Sequence, residues 1–197
     1  KFHGSYQQDN RENRKPGKGK DWQMMLRLRS PGGEIPGNLF LSLDELSNKL
    51  GNGTLRATTR QAFQMHGIRK ENLKEVIQTI VSSMGSTLAA CGDINRNVMA
   101  PAAPFETSEY KIARALAEKV ADLLTPVAGQ GTFLELWADG DLEYTIKPDK
   151  EIEENRKLQF KENVFSGTEK EPLYGSTYLP RKFKCAVTVP GDNSVDL

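Results

Sequence analysis

Residues 21–33 read DWQMMLRLRSPGG, and this stretch predicts the first main element of the fold. Apolar side chains recur at every second position of its first part, a period of two that is typical of a half-buried β-strand. These positions are Trp22, Met24, Leu26 and Leu28. Residues 30–33, Ser-Pro-Gly-Gly, then predict a turn. Because residues two apart on a strand share a face, we expect Arg27 and Arg29 together on the opposite side.

Two helices and a second extended stretch are predicted after this turn. Ser42, with Glu45 three residues later, matches a capping box and predicts a short helix that ends before Gly51. An extended stretch is expected over residues 54–66. A second helix, with Gly85 as its stop, is predicted because apolar residues recur at helical spacing. Those residues are Leu73, Val76, Ile77, Ile80, Val81 and Met84. Strand, helix, strand and helix in this order predict a split, ferredoxin-like α+β unit.

A second unit is predicted from about residue 88 onwards. Residues 88–105 are expected to be mainly loop, and residues 108–124 a helix with Ile112, Leu116, Val120, Leu123 and Leu124 on one side. Further expected elements are strands over 132–138 and 142–146, a charged surface excursion over 147–172, and a strand over 182–189. We therefore divide the chain into an extended arm (1–20), a ferredoxin-like half-domain (21–87) and an incomplete second domain (88–197).

Composition limits the possible functions. The formal net charge is +1, so any anion site must come from a local arrangement of charges. Cys91 and Cys185 are the two cysteines, and they form no CxxC pair, so the sequence predicts no metal site of its own. No run approaches the roughly 20 apolar residues of a membrane helix. We expect a reducing, intracellular location.

The arm is basic and contains proline and glycine. Lysines and arginines outnumber acidic residues in it, and Pro16 with three glycines argues against regular structure. A strap across a partner domain or a solvated tail fits this composition best. Nucleic-acid binding is the alternative, and salt-dependent binding that disappears when residues 1–20 are deleted would support it.

Basic residues share faces on several predicted strands. If residues 54–66 stay extended, one face carries Arg56, Thr58, Arg60, Gln64 and His66. Lys182 and Lys184 share a face of the last predicted strand, and Arg96 lies between two asparagines in a loop. The arginine fork suits oxyanions, so these faces favour an anion site. Ordinary solvated strand faces show a similar alternation, and that interpretation stays open.

Several motifs resemble the siroheme sulfite and nitrite reductases, most closely the ferredoxin-dependent assimilatory sulfite reductases. Residues 26–33 (LRLRSPGG) resemble the first strand and turn of that family, and residues 58–67 (TTRQAFQMHG) resemble its siroheme-cradling segment. Residues 95–98 (NRNV) and 178–184 (YLPRKFK) are similar to two further signatures. The start of the chain, KFHGSYQQD, resembles the family's N-terminal strap.

This resemblance implies an enzyme that reduces sulfite to sulfide with six electrons from ferredoxin. Its cofactors would be siroheme and a 4Fe-4S cluster, and its fold a ferredoxin-like half-domain followed by the start of a siroheme- and cluster-binding α+β domain. The implied catalytic residues around the substrate are Arg27, Arg96, Lys182 and Lys184, with Arg29 as an alternative to Arg27. The implied cofactor-binding residues are Arg56, Thr58, Thr59, Arg60, Gln64, His66, Asn97 and Arg181.

The chain departs from the family pattern in one respect. It lacks the Cys-x5-Cys and Cys-x3-Cys pairs that ligate the cluster, so we expect it to be a piece of a longer protein and inactive alone. Lys184 favours sulfite, because nitrite-reducing relatives usually have asparagine there; ferredoxin–nitrite reductase remains an alternative. The other alternative is a scaffold that binds an anion or a tetrapyrrole without catalysis. The family implies the cytoplasm of a photosynthetic bacterium or the plastid stroma.

Overall fold

The computed structural model describes residues 3–126, 134–138, 141–146, 173–174 and 179–195. It confirms the expected α+β class, because an antiparallel sheet and two helices enclose the main core and a third helix belongs to a second unit. The charged excursion expected over 147–172 lies outside the described residues. No helix among the described residues is long and apolar enough to cross a membrane.

Four antiparallel strands form the main sheet, in the order β1-β2-β4-β3. They are β1 (Ser5–Asp9), β2 (Trp22–Arg27), β3 (Leu55–Ala57) and β4 (Phe63–Ile68). The expectation of an irregular arm over 1–20 is wrong for β1, which pairs with the full length of β2 from Ser5 opposite Leu26 to Asp9 opposite Trp22. Its polar sequence carries no strand signal, so pairing with β2 rather than local propensity forms it.

The extended stretch expected over 54–66 is interrupted by a turn. Thr58 donates its N–H to the carbonyl of Ala62 at 2.7 Å, and Gln61 has a positive φ of 55° between them. A hairpin therefore replaces one long strand, and face parity does not run from Arg56 to His66. Antiparallel pairing instead sets Arg56 opposite Gln64, which restores these two residues to one face across the hairpin.

Two helices, α1 (Gly37–Leu50) and α2 (Leu73–Ser82), pack on one face of the sheet. The predicted start of α1 is wrong: Pro36 precedes the first turn, and the Ser42 hydroxyl pairs with that of Ser83 at 2.9 Å instead of capping. Its end before Gly51 is confirmed. The predicted apolar positions of α2 are buried, except that Met84 is 49% exposed with a φ of 65° just past the helix end.

Gly85 follows Met84 and allows α2 to pack closely on α1. Its N–H donates to the Ile80 carbonyl at 2.8 Å, which satisfies one of the orphan carbonyls at the helix end. A Cβ at this position would lie 2.7 Å from Leu39 Cδ1 and 2.8 Å from Ile80 Cγ2. The close approach of the two helices therefore requires glycine here.

The chain beyond residue 88 contains α3 (Ser108–Leu123) and a hairpin of β5 (Leu134–Ala138) and β6 (Asp141–Ile146), which confirms the predicted helix and two strands. Most of the apolar side predicted to define α3 does not pack inwards, although Val120 contacts the cluster of Val98 and Ala100. Ile112 is 66% exposed, while the helix buries Ala113, Ala117 and Ala121, the last two against Val98 and Ala100. Small side chains allow close packing on the 98–100 segment, and hydrophobicity alone does not reveal that preference.

The strand predicted over 182–189 is wrong as a regular element. This segment runs beside residues 94–99 and forms two isolated parallel bridges, between Asn95 and Phe183 and between Met99 and Ala186. Cys185 and Val187 pack on the buried cluster of Val98, Ala100, Ala117 and Ala121 (the α3 cluster), as the alternation predicts. Phe183, however, is 47% exposed. The segment positions its lysines without belonging to the main sheet.

Candidate anion-binding site

Three side chains form a row across β2, β4 and β3. Gln64 pairs in register with Arg27 on one side and Arg56 on the other, so it lies between two arginines in the sheet. Arg27 donates to Gln64 Oε1 from Nε at 3.0 Å and from Nη2 at 2.8 Å. Its Nη1 donates to Cys91 Sγ at 3.1 Å. The row lies on the sheet face opposite the helices, since Met65, the neighbour of Gln64, is in the helix-covered core.

Arg27 and Arg29 have different partners although the sequence expects them on one face. Arg29 Nη2 forms an ion pair with Asp122 of α3 at 3.0 Å, and its side chain is only 11% exposed. Arg27 instead contacts the neutral groups of Gln64 and Cys91. The charge of Arg29 is therefore offset inside the protein, while no described carboxylate pairs with Arg27.

Arg96, Lys182 and Lys184 belong to two segments that hydrogen bonds hold together. The N–H of Arg96 donates to the Phe183 carbonyl at 3.0 Å, and the N–H of Phe183 donates to the Ile94 carbonyl at 3.1 Å. Arg96 Nε also donates to the Gly92 carbonyl at 3.2 Å. These bonds keep both lysines beside the arginine loop.

The pKa of Lys182 reports how closely these cations are grouped. Arg96 contributes most to lowering it below the ordinary lysine value, followed by Arg181, desolvation, Lys184 and Arg27. Repulsion by nearby positive charges disfavours the protonated form of the lysine. We call Arg27, Arg96, Lys182 and Lys184 the cation cluster.

No carboxylate neutralises the cation cluster within residues 3–126, 173–174 and 179–195. The ion pairs in that part of the chain involve Arg14, Arg29, Lys49, Arg69 and Lys111, and none includes a member of the cluster. Grouped cations without counter-charges create a positive potential that favours a bound anion. The arrangement therefore suits a small oxyanion, or a ligand that carries several carboxylates.

Arg60 and Asn97 form a reciprocal clamp between the two units. Arg60 donates to the Asn97 carbonyl from Nε at 3.1 Å and Nη2 at 2.6 Å, and to the Cys185 carbonyl at 2.8 Å. The Asn97 amide, 4% exposed, accepts from the N–H of Ser30 at 2.8 Å and donates to the carbonyls of Ser30 and Arg60. Burial lowers the pKa of Arg60 below its ordinary value. Both side chains thus stabilise the fold by bonding backbone groups of distant segments.

The remaining predicted site residues differ in their surroundings. The Thr58 hydroxyl accepts from the N–H groups of Arg60 and Ala62 and so builds the hairpin turn, while Thr59 and Arg181 are exposed. His66 Nδ1 lies 3.2 Å from Gln8 Oε1, and its Nε2 is buried without a hydrogen-bond partner within the described part of the chain. Burial, followed by Arg56 and Arg27, lowers the pKa of His66.

Two residues, one beside Arg27 and one beside Ala100, were missed by sequence reasoning. Cys91 is fully buried, and burial raises the pKa of its thiol despite the opposing effects of Arg27 and Arg96. Gln61 Nε2 donates to the Ala100 carbonyl at 2.6 Å, and Gln61 Oε1 accepts from the Ala100 N–H at 3.1 Å. Cys91 lies outside every motif, and Gln61 lies in the 58–67 motif, which gives no sign of its contacts with Ala100. No group of histidine, cysteine and acidic side chains among the described residues could hold a metal ion.

Comparisons with known proteins agree with the motifs. Residues 16–82 match the family described as the nitrite/sulfite reductase ferredoxin-like half domain. The chain is 59% identical to the ferredoxin sulfite reductase of Synechococcus elongatus, over the whole chain and 31% of that protein. It is 43% identical to the NADPH sulfite reductase hemoprotein beta-component of Methylobacterium nodulans, over the whole chain and 30% of that protein.

A solved structure supports the fold. The NirA protein of Mycobacterium tuberculosis superposes with a TM-score of 0.57 over 95% of this chain and 27% of its own, at 21% identity. The chain spans about a third of the length of the curated relatives it matches, as the coverage of 31% and 30% shows. The ferredoxin-like half-domain predicted from the sequence is confirmed, and the chain belongs to the nitrite and sulfite reductase family, whose N-terminal part it matches.

Proposed function

We propose that this chain is the substrate- and siroheme-holding part of a ferredoxin-dependent sulfite reductase, which reduces sulfite to sulfide with six electrons. The observation that carries the proposal is the cation cluster, which has no carboxylate partner within residues 3–126, 173–174 and 179–195. Relatives at 59% and 43% identity are named sulfite reductases, which supports the same substrate.

The cluster divides the work between two kinds of cation. Arg27 and Arg96 hold the oxyanion, because a guanidinium offers paired N–H donors and keeps its charge at any physiological pH. Lys182 and Lys184 bind the same oxygens and can also donate protons when an oxygen leaves as water. The lowered pKa of Lys182 makes its ammonium a better acid than an ordinary lysine. Fixed cations also stabilise an anionic transition state without reorganisation.

The residues present fit a tetrapyrrole that carries several carboxylates. Arg56, Arg60 and Arg181 supply positive charge for such groups, with Arg60 Nη1 bonded to no described residue, and His66 has a buried Nε2 that no described group satisfies. Siroheme, when bound, would supply the electron transfer to the substrate. Asn97 and Thr58 would act indirectly, since their side chains hold the clamp and the turn.

The cysteines present do not fit a role as 4Fe-4S ligands. Cys91 is buried against Arg27, and Cys185 lies 94 positions away in the sequence (185 − 91) on the α3 cluster. Any cluster ligands would come from other parts of a longer protein, so we derive no step through the cluster. We accordingly expect the purified 197-residue chain to form no sulfide from sulfite, and detectable turnover would contradict this.

Ferredoxin is the electron donor that the comparisons favour. Identity to the ferredoxin-dependent relative is 59%, against 43% for the NADPH-dependent hemoprotein. The ferredoxin assignment rests on this difference and on the resemblance of the motifs to the ferredoxin-dependent sulfite reductases. A cyanobacterial relative agrees with the cytoplasm of a photosynthetic bacterium.

A hybrid enzyme tests the proposal. The matching third of the S. elongatus ferredoxin sulfite reductase is replaced by this chain, and sulfide formation is measured with reduced ferredoxin. We expect a siroheme absorbance spectrum and sulfite turnover within about tenfold of the unmodified enzyme. A well-folded hybrid that binds siroheme but reduces no sulfite would contradict the proposal.

Nitrite provides the specificity test in the same hybrid. Lys184→Asn removes one positive charge from the cluster and introduces the residue usual in nitrite-reducing relatives. We expect kcat/KM for sulfite to fall by about tenfold, the effect of losing one charge-assisted hydrogen bond, and kcat/KM for nitrite to fall less. Lys20→Asn in the arm is the matched control. Equal losses for both substrates would favour the nitrite reductase alternative.

A further inference from the structure

We propose that Gln64 and Cys91 are positioning residues that orient the Arg27 guanidinium towards a bound oxyanion without offsetting its charge. Both accept hydrogen bonds from Arg27, and both are neutral groups. The inference rests on the proposed function of Arg27 as a sulfite-binding residue. It assigns Gln64 to the arginine rather than to the cofactor, and it gives a role to a cysteine that lies outside every motif.

The three bonds fix the guanidinium plane from two sides. Gln64 Oε1 accepts from Nε and Nη2 along one edge, at 3.0 and 2.8 Å, and Cys91 Sγ accepts from Nη1 at 3.1 Å. A guanidinium has five N–H groups, so two bond to no described residue. One of them lies on each Nη atom, and donors of this kind can bind the oxygens of an oxyanion.

The two acceptors come from different parts of the fold. Gln64 is the register partner of Arg27 in the sheet, and β4 holds it rigidly between β2 and β3. Cys91 lies in the loop that leads to Arg96 and is fully buried. Arg27 is therefore aligned with the sheet and with the loop that carries the next cation of the cluster.

Neutral acceptors preserve the charge that an anion needs. Arg29 shows the contrast within the same chain, since its ion pair with Asp122 offsets its charge at 3.0 Å. The amide of Gln64 has no charge, and burial raises the pKa of the Cys91 thiol, which keeps it protonated at neutral pH. A carboxylate in place of Gln64 would hold Arg27 in place equally well, but it would weaken the field of the cluster.

This contrast gives a test that a merely structural role would not pass. Gln64→Glu and Gln64→Leu are introduced into the siroheme-loaded hybrid enzyme, with Cys91→Ala as a third variant and Gln78→Glu as matched control. Gln78 is exposed on α2, across the sheet from the cluster, so its substitution adds the same negative charge away from the site. The measurements are KM and kcat for sulfite, siroheme absorbance per protein, and the thermal midpoint.

We expect Gln64→Glu to raise the KM for sulfite by about tenfold, with siroheme content and thermal midpoint at the parental level, since one charge-assisted contact is lost. Gln64→Leu and Cys91→Ala should raise KM less, about threefold each, because Arg27 keeps its charge but loses its alignment. A parental KM for Gln64→Glu would overturn the inference. So would siroheme loss in Gln64→Leu with an unchanged KM of the loaded fraction, because that result makes Gln64 a cofactor ligand.

Arg27→Gln separates this inference from the function on which it rests. A raised KM for Arg27→Gln together with a parental KM for Gln64→Glu would refute only the positioning role. A parental KM for Arg27→Gln would refute the sulfite-binding role of Arg27, and the positioning role with it.

Discussion

Single residues in this chain are distinguished by their partners more than by their type. Arg27 and Arg29 are two positions apart, yet one donates to an amide and a thiol and the other pairs with Asp122. The sequence left these two arginines as alternatives for the substrate. Their surroundings favour Arg27, because only an arginine without a counter-charge attracts an anion strongly. Partners that lie 37 to 93 residues away decide the difference, and no local pattern contains that information.

The lysine beside Arg96 predicts a pH dependence. The pKa of Lys182 lies below the ordinary lysine value because of Arg96 first and Arg181 second. Lysine is charged below its pKa, so sulfite binding should weaken as the pH rises through this lowered value, earlier than for an ordinary lysine. Arg181→Gln removes a repelling charge and should move the rise in KM to higher pH. Steady-state KM for sulfite between pH 7 and about 10 measures both profiles; coincident profiles would contradict the prediction.

Elements in the two units illustrate which sequence signals are reliable. The 3.6-residue period of α2 predicts its buried residues almost completely, because its apolar side chains face one sheet. The same reasoning fails for most of α3, where Ile112, Leu116 and Leu123 are exposed and three alanines are the buried residues. β1 could not be predicted either, since pairing with a distant strand forms it. Turns and helix ends marked by glycine were more predictable than helix starts, as Gly51 and Pro36 show.

Two isoleucines test this account of the helices. Ile77 of α2 is 1% exposed in the main core, whereas Ile112 of α3 is 66% exposed. We expect Ile77→Ala to lower the free energy of unfolding by about 3 kcal/mol through lost burial and a residual cavity. Ile112→Ala, the same chemical change, should cost less than about 0.5 kcal/mol. Urea unfolding of the 197-residue chain gives both values, and a comparable cost for the two would show that α3 packs through its large side chains.

The clamp between the units makes a second stability prediction. Asn97 is buried, and its amide makes three hydrogen bonds, to Ser30 and Arg60. Asn97→Ala leaves these backbone groups unsatisfied, and we expect a loss of about 3 kcal/mol in the free energy of unfolding. Asn48→Ala is the matched control, because the Asn48 amide makes one exposed bond to the Asp44 carbonyl. If the two losses in urea unfolding were equal, the clamp would not stabilise the chain.

The whole molecule concentrates its positive charge instead of carrying a large net charge. Its formal charge is +1, yet the cation cluster draws residues from β2, a loop and the C-terminal segment. The sequence predicted the members of the cluster through strand faces and motifs. It could not predict how they meet, because residues 182–189 do not form the regular strand that was expected. Isolated bridges to residues 95 and 99, together with the bond from Arg60 to the Cys185 carbonyl, hold Lys182 and Lys184 in place instead. Local arrangement, not net charge, is therefore the basis of the proposed anion site.

Two triple variants of the siroheme-loaded hybrid enzyme test this claim most directly. One replaces Arg96, Lys182 and Lys184 by glutamine, and the other replaces Lys15, Lys18 and Lys20 of the basic arm, so both lose three positive charges. At fixed ionic strength, we expect the KM for sulfite to rise at least about a hundredfold in the first variant and less than about twofold in the second. Similar KM values for the two variants, with siroheme content unchanged, would contradict the existence of a built anion site.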